Sequence, residues 1–262
     1  MEVVFPESAR RIAATVAERM PRRRTEIASW LGVKPRGRAV VHLVPDAEGM
    51  RRVLAADAPA WAAAVTRRDD LLVFRLDRVG RSPGAALDVV LVHETVHHVL
   101  NALGGALPLW FEEGLCVHRA GAPYLETDTS VERLAAAGTL PALDRAPFRG
   151  GEAEAAIAYR MAGSAAGRFL RDHGDEGLRA LLRRVGAGAP FDRAFLEATR
   201  ETVADFEARW RDGVTPRVPF AIFILLENID LTLLALGAVL LVAGYVRYRV
   251  KRGRALDRLG ES

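Results

Sequence analysis

Near the end of this 262-residue chain, Leu231 to Val246 runs for sixteen residues without a charge. As a helix rising 1.5 Å per residue, that run reaches about 24 Å, short of the roughly 30 Å hydrocarbon core of a bilayer. Counting residues 229–248, with Ile229 at one side and Tyr245 and Tyr248 at the other, supplies the length a span needs. Phe220 to Leu226 is apolar too, but Glu227, Asn228 and Asp230 separate it from the run. The rival reading is a buried core helix. Arg247, Arg249, Lys251, Arg252 and Arg254 follow the run directly, and such clusters mark the cytoplasmic flank of a span. The expected organisation is a domain over 1–218 and a transmembrane anchor with a short basic tail over 219–262.

This division changes the meaning of the charge. The formal net charge is +4, yet from Pro219 onward the chain carries six bases against four acids. Half of the excess therefore lies in the tail. A near-neutral domain with one basic end gives no reason to expect a nucleic-acid partner. A hydrophobic fraction of 50% is enough to build a core, and one cysteine excludes a disulfide scaffold or a cysteine-only zinc site.

Within 1–212 the pattern is α+β with helix dominant. Ile12, Val16, Met20, Ile27 and Leu31 recur at helical steps over 7–32; Pro21 either kinks that helix or starts a second, and Gly32 closes it. Residues 39–44 and 71–76 read as strands of a small N-terminal sheet, and the alanine-rich 47–66 between them as helix. Gly80 to Gly84 is a loop. A long apolar helix over 85–103 ends at Gly104-Gly105, and a second follows over 108–120. Residues 121–151 read as loop with a short helix at 129–137. Helices cover 153–185, broken near His173-Gly174-Asp175, and a further helix covers 191–212.

The chemistry lies in His93-Glu94-Thr95-Val96-His97, an H-E-x-x-H on the 85–103 helix. Histidines at i and i+4 sit about 40° apart around the axis and one turn apart along it, so both rings reach one metal ion. Glu94 lies beside that ion, where it can take a proton from metal-bound water. The pattern also arises by chance, but the residues before it, Ala85 to Val92, give a core helix where a rigid site belongs. A hydrolytic zinc needs a third protein ligand and an open position for water. Glu113, sixteen positions after His97, comes back on the next helix once the Gly104-Gly105 turn lets the two pack together. Glu112 is the alternative ligand, about 100° away around that helix.

With these residues the chain resembles the peptidase MA-like group of gluzincin metallopeptidases, broad relatives of thermolysin. In that family a helix with H-E-x-x-H is followed by W-x-x-E-G, matched here by Trp110-Phe111-Glu112-Glu113-Gly114. The resemblance implies a zincin-like fold, with His93, His97 and Glu113 as Zn2+ ligands and Glu94 as general base. It covers roughly residues 37–212. It continues loosely through Ala158-Tyr159, Phe169 to Gly174, Phe195 to Glu197 and Phe206 to Trp210. One departure stands out: where thermolysin-type enzymes carry an aspartate that orients a histidine, this chain has Val117. Support for the ligands must then come from elsewhere.

The neighbours have less specific readings. Tyr159 is either an oxyanion donor, as a tyrosine or histidine is in gluzincins, or a packing residue. Cys116 is either a thiolate ligand or, preferably, a small buried residue. His98 faces away from the ligand pair, His118 reads as partly exposed, and His42 and His173 carry no signal.

The expected function is a membrane-anchored, zinc-dependent metallopeptidase acting on a peptide or protein substrate. The alternative is a catalytically inactive, membrane-tethered module that binds metal or a protein. An intramembrane protease is excluded because the apolar run before His93 is only eight residues and contains Asp88. The charge bias puts the tail in the cytoplasm and the catalytic domain outside. Export of that domain requires an N-terminal signal, and Met1 to Pro6 does not read as one. The expectation is a true start farther upstream, the other resolution being a tail-anchored protein with a cytoplasmic domain.

Overall fold

The computed structural model describes residues 1–35, 37–80, 86–121, 129–217 and 220–260. The expected loop at Gly80 to Gly84 lies, from residue 81, outside the described residues, as does 122–128 of the expected 121–151 loop.

The small sheet has four strands, β1 (Glu2–Val4), β2 (Val40–Val44), β3 (Ala64–Thr66) and β4 (Leu71–Arg75). Their order is β1-β2-β4-β3. β1, β2 and β4 are parallel, and β3 returns antiparallel to β4 with Thr66 opposite Leu72. The continuous apolar runs of β2 and β4 follow from burial on both faces. On one face Val41, Leu43, Leu72 and Phe74 meet Val16 and Met20 of helix α1 (Arg10–Leu31) and Leu91 of helix α3 (Leu87–Leu100). On the other, Val44 and Val73 cover Met50 and Leu54 of helix α2 (Ala47–Leu54).

One open alternative is decided and two expectations need correction. Pro21 starts no second helix: α1 runs through it and stops at Gly32, whose φ of 66° suits glycine. The 47–66 helix ends at Leu54, and its last residues form β3, the edge strand. The 191–212 helix is two, α7 (Phe191–Thr199) and α8 (Val203–Val214), separated by Arg200 at φ 68°. Thr202 caps α8, its hydroxyl oxygen accepting from the Asp205 amide at 3.1 Å.

The larger core is helical. Helix α4 (Leu109–Ala120) follows α3, α5 (Ser130–Ala136) follows later, and α6 (Glu152–Gly186) is the longest helix of the domain, broken at Gly174. Trp110 and Phe111 of α4 fix its rotation by packing among Phe169, Phe191 and Phe206, with ring centroids 5.2–6.3 Å apart. Gly114 brings α4 against the alanine-rich face of α6: a Cβ there would lie 2.4 Å from the Ala162 carbonyl oxygen. α3 serves both cores, Leu91 toward the sheet and Val96, Val99 and Leu100 toward the helices.

Past the domain, α9 (Phe220–Glu227) leads into α10 (Ile229–Gly260). Ile229–Arg249 is long and apolar enough to cross a membrane, and none of its most apolar stretch is buried.

Candidate metal centre

The two predicted histidines stand one turn apart on α3, ring centroids 5.0 Å apart. Glu113 of α4 meets both: its Oε2 lies 3.2 Å from His93 Nε2 and 3.4 Å from His97 Nε2. The short turn through Gly105 produces this approach. It packs on the end of α6, where a Cβ would lie 2.6 Å from the Val185 carbonyl oxygen. Glu113 is 8% exposed, and its Oε2 is sealed from solvent without a hydrogen-bond partner. A buried oxygen of this kind is costly unless a proton or cation meets it. Burial works against its charge, but His97 and His93 outweigh that and hold the carboxyl well below the usual range.

Glu112 is not part of the ligand group. Its Oε1 lies 2.8 Å from His97 Nδ1, which leaves Nε2 turned toward Glu113. Glu112 thus supplies the histidine support that Val117 cannot give. Two adjacent acids in Glu112-Glu113 were the available signal: Glu113 meets both histidines and Glu112 meets the far side of one of them.

Cys116 enters the group. Among the described residues, His93, His97, Glu113 and Cys116 could hold a metal ion, with ligand atoms all within 4.8 Å of one another. Cys116 is fully buried, and burial pushes its thiol up to about 12. The sequence favoured a small buried residue over a thiolate ligand; Cys116 is buried as expected, and its sulfur also lies with the possible ligand atoms.

Glu94 is buried beside the group, and its Oε2 accepts a 2.7 Å hydrogen bond from the Thr66 hydroxyl. That bond fixes the carboxylate and ties the edge strand β3 to α3. Thr66 had no sequence signal, because β3 itself lay hidden in an alanine-rich run.

His93, Glu94, His97, Glu112 and Glu113 line a cleft of about 750 Å³, walled by Trp61, Thr66, Phe148 and Tyr159 with Arg68 and Arg149 at its margin. The Tyr159 ring centroid is 6.0 Å from that of His93, and burial raises the phenol's pKa, keeping it a donor. Tyr159 also packs edge-on against Trp61 and Phe148.

The remaining histidines lie outside the group. His98 is fully buried, its Nδ1 3.0 Å from Asp70 Oδ1. His118 is exposed. His173 Nε2 lies 3.0 Å from Glu201, beside the α6 break. In comparison with known proteins, no family model matches this chain, and no curated protein matches it.

Proposed function

We propose that the chain is a membrane-anchored, zinc-dependent metallopeptidase of the gluzincin type. The observation that carries this reading is the approach of one sealed carboxylate oxygen to the Nε2 atoms of both H-E-x-x-H histidines, with Glu94 beside them on an open cleft. Neutral imidazoles and a carboxylate are the donor set zinc takes, and the orphaned Glu113 Oε2 fits a cation at their meeting point. The four-stranded mixed sheet over α3, with β3 at its edge, supports the zincin-like assignment.

Zinc, when bound, lowers the pKa of a coordinated water and polarises a scissile carbonyl. His93, His97 and Glu113 would hold it. Glu94, fixed by Thr66, takes the proton of the attacking water and delivers it to the leaving amine. The Tyr159 hydroxyl donates toward the oxygen on which charge develops. Glu112 holds His97 in the tautomer that leaves Nε2 free. The aromatic walls of the cleft take side chains of a peptide or protein substrate.

We further infer that α10 crosses the bilayer, the 21 residues Ile229–Arg249 spanning roughly 30 Å as a helix. The basic residues that follow orient the tail to the cytoplasm and the catalytic domain to the other side.

Glu94→Gln tests the reading. It should keep the metal and lower peptide hydrolysis by about 10²–10⁴-fold. Undiminished, zinc-dependent hydrolysis by that variant would refute it. Cys116 favours a second reading, a metal-holding module without turnover, since four protein ligands characterise closed structural sites. Zinc bound by a wild-type protein that hydrolyses no peptide would select it.

A further inference from the structure

We propose that the Cys116 thiolate is a fourth protein ligand, closing the metal centre formed by His93, His97 and Glu113. The inference rests on reading that cluster as a metal centre and adds to it a residue that the H-E-x-x-H and W-x-x-E-G motifs do not contain.

Three observations carry it. Cys116 follows Glu113 by three positions on α4, and side chains at that spacing are neighbours on a helix surface. The four ligand atoms lie within 4.8 Å of one another. Around a tetrahedral zinc with bonds of about 2.0–2.3 Å, ligand atoms stand about 3.4–3.8 Å apart, so small side-chain shifts bring all four into bonding range. Finally, the group is sealed where it matters: Cys116 is fully buried, and Glu113 Oε2 is buried without a hydrogen-bond partner. The thiol therefore shares its enclosure with an acceptor oxygen that a cation would satisfy.

Coordination forms one metal–sulfur bond and breaks one S–H bond, the proton going to solvent; no electron is transferred. The thiolate then occupies the position that a hydrolytic zinc keeps for water. With the thiolate bound, Cys116 would close the resting centre, and its sulfur would have to give way before a substrate could be turned over. Cys116 also makes the donor set softer than two histidines and a glutamate alone, favouring zinc over manganese.

X-ray absorption at the zinc edge tests this on the full chain in detergent micelles, loaded with zinc alone. The expected result is a sulfur shell at about 2.3 Å beside nitrogen and oxygen at about 2.0–2.1 Å. Cys116→Ser should abolish the sulfur shell and keep the zinc. A wild-type spectrum with nitrogen and oxygen only would overturn the thiolate ligand while leaving the metal centre standing. Failure to bind zinc at all would overturn both. If Cys116→Ser does not fold, wild-type protein loaded with cobalt gives a second reading. A near-ultraviolet thiolate-to-cobalt charge-transfer band is expected, and cobalt d–d bands without it would overturn the proposal.

Discussion

Helices α3 and α10 are both rich in aliphatic residues, and they end in opposite surroundings. In α3, Leu91, Val96 and Val99 have no exposed surface, because the sheet takes one side and α4 with α6 takes the other. In α10, Leu234 is 70% and Leu241 77% exposed. A helix apolar on all sides needs an apolar environment throughout, from either a core or a membrane. The domain provides it for α3, and that enclosure makes His93, Glu94 and His97 there significant. For α10 the environment must come from outside the chain, which is the physical basis for reading it as an anchor.

The comparison can be broken by mutation. The largest effect belongs to Leu91→Ala in α3, which should cost about 2–5 kcal/mol as a cavity in a tight core. Leu240→Ala in α10 should change the domain's stability by less than about 0.5 kcal/mol. Thermal unfolding of the solubilised chain measures both, and equal shifts would abolish the distinction. Next is Leu240→Asp, expected to oppose membrane insertion by about 3–4 kcal/mol while leaving domain unfolding unaltered. Unchanged recovery in the membrane fraction would argue against the span.

Gly114→Ala sharpens the account of how α4 presents Glu113. The added methyl meets the Ala162 backbone, so a loss of about 1–3 kcal/mol is expected, together with weaker zinc binding by calorimetry. Normal zinc affinity in that variant would mean that the α4–α6 approach does not position the ligand. The smallest effect is at Thr202→Ala, where removal of the α8 cap should cost about 1 kcal/mol in chemical denaturation.

Much of this was legible in the sequence, and the exceptions share a cause. The long helices, β2, β4 and the approach of Glu113 to the histidine pair follow from period, punctuation and motif spacing. β1 and β3 are three residues each, too short for a period, and exist because β2 and β4 offer edges. The break at Arg200 was signalled by Thr202 and Asp205, a capping pair inside an apparently continuous helical pattern. Thr66 reaches Glu94 from an edge strand the sequence did not reveal, and Glu112 shares the motif spacing of Glu113, so only the rotation of α4 assigns the two acids their partners. The residue types expected for chemistry were visible; the hydrogen bonds that hold two of them in position were not.

The central claim is that α3 and α4 together build a metal centre. Its most direct test is the metal content of the full-length protein after exhaustive dialysis, wild type beside His93→Ala, Glu113→Ala and Glu94→Gln. The account predicts a tightly held zinc ion in wild type and Glu94→Gln, and its loss from His93→Ala and Glu113→Ala. Zinc retained by both ligand variants, or absent from the zinc-supplemented wild type, would contradict it.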